Sequence, residues 1–165
     1  DKVDIITSTF GKALGGGAGG FTAANQDIID FLRQKSRPYL FSNTLSPAIV
    51  CASDKALSML SSSSDLMLKL NKNTQYFRDK IKSLGFTIKD GTHPIVPIML
   101  FDAQLAQNFA HDMLDCGVYV VGFSYPVVPK NKARIRVQIS AEHSQDDLEL
   151  SLNAFSKIGK KYKLI

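Results

Sequence analysis

The residues with the most chemical potential are crowded into Thr7–Gly20, TSTFGKALGGGAGG. One lysine, Lys12, follows the hydroxyl residues Thr7, Ser8 and Thr9 and precedes five glycines in the six positions 15–20. Hydroxyls can donate hydrogen bonds to phosphate oxygens, and glycine lets a ligand or another stretch of backbone come close without steric cost. A lysine that leaves a strand end into such a pocket is poorly solvated. Its pKa then falls and it becomes a usable amine nucleophile. The residues alone leave this reading beside a plainer one, a surface turn with a solvated lysine, since most lysines face water. A nucleotide loop fits less well. Gly15, Gly17 and Gly20 satisfy G-x-G-x-x-G, but the dinucleotide version needs a helix opening at the glycines and an acid about 20 residues on. Phe21–Ala24 reads instead as a strand, Lys35–Leu45 contains no acid, and Ala13 stands where a Walker A loop needs Ser or Thr.

Other candidates are thinner. Arg134 and Arg136 lie in R-I-R-V-Q-I-S and, on a strand, point the same way while Ile135 and Val137 face the other. A planar guanidinium can take a carboxylate with two parallel hydrogen bonds, although a surface ion pair is the ordinary role of an arginine. Ser42-Asn43 is ordinary turn chemistry. His93, His111 and His143 match no compact metal motif and read as structural or solvated. Cys51 and Cys116 have no C-x-x-C spacing, so the expectation is two reduced, buried thiols and no metal. Asp146-Asp147 sits at a helix start, where negative charge is favoured without any catalytic role.

The elements that must position these groups can be read from periodicity and caps. Residues 3–9 read as a buried strand and 20–24 as a second strand after the glycines. Residues 26–36 read as a helix, ended by Pro38, and 37–44 as an irregular segment. Ser46-Pro47 is an N-cap followed by a first-turn proline, which opens a helix that stops at the serine run 61–64. Asp65 opens another helix, closed near Gly85. Beyond it, residues 86–89, 95–101, 118–122 and 134–139 read as strands. A helix covers 104–115, and a last helix opens at Ser144 with Asp147 as its capping pair. This order predicts an α/β chain with a soft boundary at the serine run. The first part, 1–60, belongs to a larger domain, and 61–165 forms a small α/β sandwich with helices on one sheet face.

Composition narrows the classes. The chain has 165 residues, 44% hydrophobic and 21% charged, which is globular rather than disordered. The net charge of +5 comes from dispersed basic residues, so no nucleic-acid stripe is indicated. No apolar run approaches the ~20 residues of a membrane span. The start of the chain has no signal-peptide pattern and lies almost inside a strand, which reads as a C-terminal portion of something longer.

Three segments together resemble a known family: T-x-G-K-A-L-G-G with G-G-F-T-A-A, R-P-Y-L-F-S-N-T-L-S-P at Arg37–Pro47, and Y-P-V-V-P-K-x-K-A-R-I-R-V-Q-I-S-A at Tyr125–Ala141. They are similar to the α-oxoamine synthases, pyridoxal-phosphate (PLP) enzymes of the fold-type I, aminotransferase-like superfamily, and within them to the glycine C-acetyltransferase branch. The resemblance implies that residues 1–60 are the end of a large PLP-dependent transferase domain. It implies PLP as cofactor, held covalently by Lys12, with Thr9 holding its phosphate; on the residues alone Thr9 is equally a strand-end cap. It implies that Ser42 and Asn43 contribute phosphate contacts across a homodimer interface, so that the active site is shared. Arg136 is implied to bind the substrate carboxylate, whereas Arg134 keeps the ordinary surface role. The implied reaction condenses glycine with acetyl-CoA, releasing CoA, in threonine breakdown, in the mitochondrion or, for a bacterial protein, the cytoplasm. The family's pyridine-binding aspartate and ring-contacting histidines would lie upstream of Lys12, so this segment alone is expected to be inactive. Another α-oxoamine synthase, of the 5-aminolevulinate or 8-amino-7-oxononanoate type, and a non-catalytic dimerising α/β fragment are the alternatives.

Overall fold

The computed structural model describes residues 2–15 and 17–165. The chain divides into two compact units, Asp1–Ser64 and Asp65–Ile165.

The first unit holds two strands and three helices. Strand β1 (Ile5–Thr9) pairs antiparallel with β2 (Gly20–Ala24), from Ile5 opposite Ala24 to Thr9 opposite Gly20. The buried strand expected at the start of the chain is in fact exposed over most of its length, because β2 is its only described strand partner. Helix α1 (Gln26–Lys35) starts at Asn25, whose side chain accepts from the Ile28 N–H, and carries Asp27 in its first turn and Arg33 and Lys35 in its last. Ser36 ends α1 and begins α2 (Arg37–Phe41). The irregular segment expected over 37–44 is therefore helical for one short stretch, since Pro38 fits a first helical turn as readily as it ends the preceding helix. Helix α3 (Pro47–Ser62) has the expected Ser46 cap, whose hydroxyl accepts from the Ile49 N–H. Among the described residues of this unit only Ser53 is fully buried, while Ile6, Phe31, Tyr39, Phe41 and Met59 are each more than half exposed.

The second unit has a core of its own. Helix α4 (Asp65–Ser83) leads to β3 (Ile95–Phe101), α5 (Ala103–Asp115), β4 (Val121–Phe123), β5 (Ala133–Gln138) and α6 (Gln145–Lys161). The antiparallel sheet has the order β3-β5-β4. Alternate residues Val96, Ile98 and Leu100 of β3 and Ala133, Ile135 and Val137 of β5 are buried with Phe77 and Ile81 of α4, Phe109 and Met113 of α5, and Leu148, Leu152, Phe155 and Ile158 of α6. The helices thus cover one sheet face and the opposite face stays partly open, the one-sided burial typical of an antiparallel sheet. The strand expected at 86–89 shrinks to a bridge between Ile88 and Ile98, with Lys89 donating to the Pro97 carbonyl and Met99 to that of Thr87. The strand expected at 118–122 is paired only from Val121 to Phe123, because the β5 residues opposite it are Arg134–Arg136.

Two buried polar side chains fix the loops around this core. Arg78 is 5% exposed and donates to the carbonyls of Lys89, His93 and Ile95 at 2.8–3.2 Å. Asn73 donates to the carbonyls of Ser140 and His143. Among the described residues no helix is long and apolar enough to cross a membrane.

Candidate active site

Lys12 sits in the loop that joins β1 to β2. The neck of the loop is clamped by Thr9: its hydroxyl donates to the Gly19 carbonyl at 3.1 Å and accepts from the Gly11 N–H at 3.1 Å. The Phe10 N–H donates to the same Gly19 carbonyl at 2.9 Å. Inside the neck the Gly15 N–H closes a turn onto the Lys12 carbonyl at 3.0 Å. Thr9 is thus the strand-end cap in this chain, with its proton already given to backbone. Lys12 itself is exposed, so the first unit does not by itself supply the desolvation expected of its amine.

Two glycines of the loop are dictated by what lies against them. A side chain at Gly20 would place its Cβ 2.4 Å from the Ser8 carbonyl oxygen, across the strand pair. Gly19 has φ +78°, and a Cβ there would lie 2.4 Å from Leu45 Cδ2. Glycine avoids both the left-handed penalty and the overlap. Gly16 lies outside the described residues. The Leu45–Gly19 contact brings the stretch after α2 to the neck of the lysine loop. Ser42 and Asn43 precede Leu45 by three and two residues, are exposed, and make no side-chain hydrogen bond among the described residues.

Arg136 belongs to the second unit, on the open face of the sheet. It is opposite Pro97 on one side and Val121 on the other, and its guanidinium carbon stands 4.6 Å from the centre of the Phe123 ring. Arg134 points to the same face but donates its Nε–H back to the Lys132 carbonyl. Arg136 and Phe123 border a cavity of about 670 Å³ with Tyr119, Gln138, His143 and Leu150. The expectation for the arginines did not include Phe123, which lies just beyond the strand expected at 118–122.

The remaining candidates take structural roles. His93 Nδ1 accepts from the Ile95 N–H and His143 Nδ1 from the Ser140 N–H, and His111 is exposed. Among the described residues no three His, Cys, Asp or Glu side chains form a metal-sized group. The expected burial of both thiols does not hold. Cys51 is exposed on α3, a helix whose only buried residue is Ser53, and Cys116 is half-buried at the end of α5. Asp147 accepts from the backbone N–H and hydroxyl of Ser144, which together hold its carboxyl below the usual range. Chemically, then, the first unit offers an accessible primary amine beside a hydroxyl-lined neck, and the second an arginine whose N–H edge is open.

Comparison with known proteins gives this arrangement its family. The sequence profile described as Aminotransferase class I and II matches residues 1–155. The chain belongs to that family. Among curated aminotransferase-family relatives, human mitochondrial 2-amino-3-ketobutyrate coenzyme A ligase is 52% identical over 160 residues, covering 97% of this chain and 38% of the relative. The enzyme of that name from Escherichia coli (strain K12) is 51% identical over 164 residues, 99% of this chain and 41% of the relative. An 8-amino-7-oxononanoate synthase from Thermosipho melanesiensis is 43% identical over 164 residues, 99% of this chain and 42% of the relative. The chain therefore spans about two fifths of the length of these relatives. Among solved aminotransferase-family structures, serine palmitoyltransferase from Sphingomonas wittichii superposes with a TM-score of 0.90 at 27% identity, covering 99% of this chain and 41% of that one. An SPT structure with PLP as its internal aldimine gives 0.91, also at 27% identity and the same coverage. Both agree with the expected α/β, fold-type I architecture.

Proposed function

We propose that the protein to which this chain contributes condenses glycine with acetyl-CoA to give 2-amino-3-ketobutyrate and CoA, with PLP as its cofactor. The observation that carries the reading is the 51–52% identity, over nearly the whole chain, to relatives named for that product. The geometry fits the cofactor. An aldehyde needs an accessible primary amine, which Lys12 offers, and a phosphate needs hydroxyl donors, of which Thr9 stands at the neck of the same loop. When bound, PLP supplies an electron-accepting ring for the pair of electrons left at the substrate Cα. Lys12 binds the cofactor and moves the Cα proton of glycine. Thr9 would hold the cofactor phosphate through its hydroxyl, which accepts from the Gly11 N–H. Arg136 orients glycine by its carboxylate.

In this reading, residues up to the break between α3 and α4 are the end of the large cofactor-binding domain and the rest is the small C-terminal domain. Ser42 and Asn43 act across a homodimer interface. A mitochondrial location accords with the human, mouse and bovine relatives, whose names include it; a bacterial source would make the protein cytoplasmic.

The test is borohydride reduction of the intact protein after loading with PLP. The expected result is a stable pyridoxyl adduct on the peptide containing Lys12, lost in Lys12→Ala. A well-folded protein with no adduct there would refute the proposal. The 8-amino-7-oxononanoate synthase relative at 43% identity keeps a second reading open. Product analysis with glycine or alanine and several acyl-CoA thioesters separates the two.

A further inference from the structure

We infer that Phe123 is a positioning residue for Arg136: its ring holds the guanidinium by one face, so that the N–H edge is presented for a carboxylate. This rests on the assignment of Arg136 to the substrate carboxylate. The two residues are diagonal neighbours on adjacent strands. Arg136 is paired with Val121, and Phe123, two residues further along β4, is paired with Arg134. The Arg136 side chain crosses that diagonal to place its guanidinium carbon 4.6 Å from the ring centre, within the range of cation–π attraction.

The same register gives each arginine a different fate. Arg134 stands directly opposite Phe123 but spends its Nε–H on the Lys132 carbonyl just before its own strand. Among the described residues the exposed Arg136 side chain makes no hydrogen bond and has no carboxylate within ion-pair range. An exposed arginine loses rotamer freedom when it binds. A ring beneath it removes part of that cost beforehand and consumes none of its five N–H donors, which lie in the guanidinium plane. A carboxylate or a backbone carbonyl in the ring's place would have used up the donors that the substrate needs. Phe123 never touches the reacting atoms. Its effect falls on how often Arg136 is in the orientation that captures the substrate.

The experiment is steady-state kinetics of the intact, PLP-loaded protein with Phe123→Leu, Phe123→Tyr, Arg134→Ala and Arg136→Ala, each checked for wild-type thermal unfolding. Phe123→Leu is expected to raise KM for glycine about 2- to 5-fold, with kcat and KM for acetyl-CoA unchanged, the size of an exposed cation–π contact. Phe123→Tyr keeps the ring and restores the glycine KM, and Arg134→Ala leaves it unchanged. If Arg136→Ala abolishes glycine saturation while Phe123→Leu leaves KM unchanged, Arg136 binds the carboxylate and the positioning role is wrong. If Arg136→Ala also leaves glycine KM unchanged, the underlying assignment of Arg136 fails. A Phe123→Leu protein that loses kcat and both KM values together, with lowered thermal stability, shows a merely structural ring and overturns the inference as well.

Discussion

The packing of Leu45 against Gly19 can be measured by changing both residues. In Gly19→Ala the new Cβ lies 2.4 Å from Leu45 Cδ2, 2.8 Å from Cδ1 and 3.1 Å from Cγ. It must also adopt φ +78°. The left-handed backbone costs about 1–2 kcal/mol whatever the neighbour. The overlap is with the far end of the exposed Leu45 side chain, which must leave its rotamer, and adds about 0.5–1.5 kcal/mol. All three clashing atoms disappear in Leu45→Ala, so in that background only the backbone cost remains. The expected coupling is therefore about 0.5–1.5 kcal/mol, at or above the roughly 0.5 kcal/mol scatter of independent sites. The Phe10 N–H, bonded to the Gly19 carbonyl, reports on the loop neck by hydrogen–deuterium exchange in the intact protein. Gly19→Ala should speed its exchange by about 10- to 300-fold, at tenfold per 1.4 kcal/mol. The same change on top of Leu45→Ala should speed it by only about 5- to 30-fold. Equal accelerations in the two backgrounds would show that Leu45 does not rest on Gly19, and would detach the Ser42–Asn43 stretch from the lysine loop.

Three further outcomes concern the second unit. Replacing buried Arg78 with Met strips the donors from three carbonyls and should lower stability by about 3 kcal/mol, seen as a drop in the thermal midpoint of the intact protein. An unchanged midpoint would mean that water serves the 89–95 loop equally well. At the start of α6, Ser144→Ala should cost about 1 kcal/mol at neutral pH. The Asp147 carboxyl is depressed by the Ser144 N–H and hydroxyl, so its contribution is present above the unfolded value of about 3.9 and is lost as pH falls through the lower folded value. The gap in thermal midpoint between wild type and Asp147→Asn should close below about pH 4; a gap that persists there would rule out the charge as its source.

Local signals carried much of the fold. Ser46-Pro47 marks the start of α3 because both the hydroxyl cap and the first-turn proline act within four residues. Ser144 and Asp147 mark α6 for the same reason. β3 is one continuous apolar run, so its strand character is legible in the chain, but which of its residues turn inward is not; that alternation appears only once one sheet face is covered. The failures involve partners distant in sequence. Residues 86–89 have strand composition, yet only Ile88 is bridged to β3. The apolar residues at 3–6 read as buried, but burial depends on what covers them, and β2 covers one edge alone. At the candidate site, the residue types at Thr9, Lys12 and Arg136 were visible in the chain. Whether the glycines serve a ligand or Leu45 was not, since both uses demand the same missing side chain. The Phe123 stack depends on a diagonal across two strands joined by nine residues, a relation that no local pattern encodes.

The position of α6 in the core also bears on how the molecule is made. Leu148, Leu152, Phe155 and Ile158 close over Phe77, Phe109 and the sheet, yet they are synthesised after every other element of the second unit. During translation the sheet and two of its helices therefore leave the ribosome with a greasy side uncovered. They become protected only when the last helix emerges, so ribosome stalling or premature termination within α6 would create a species for chaperones and proteases to clear.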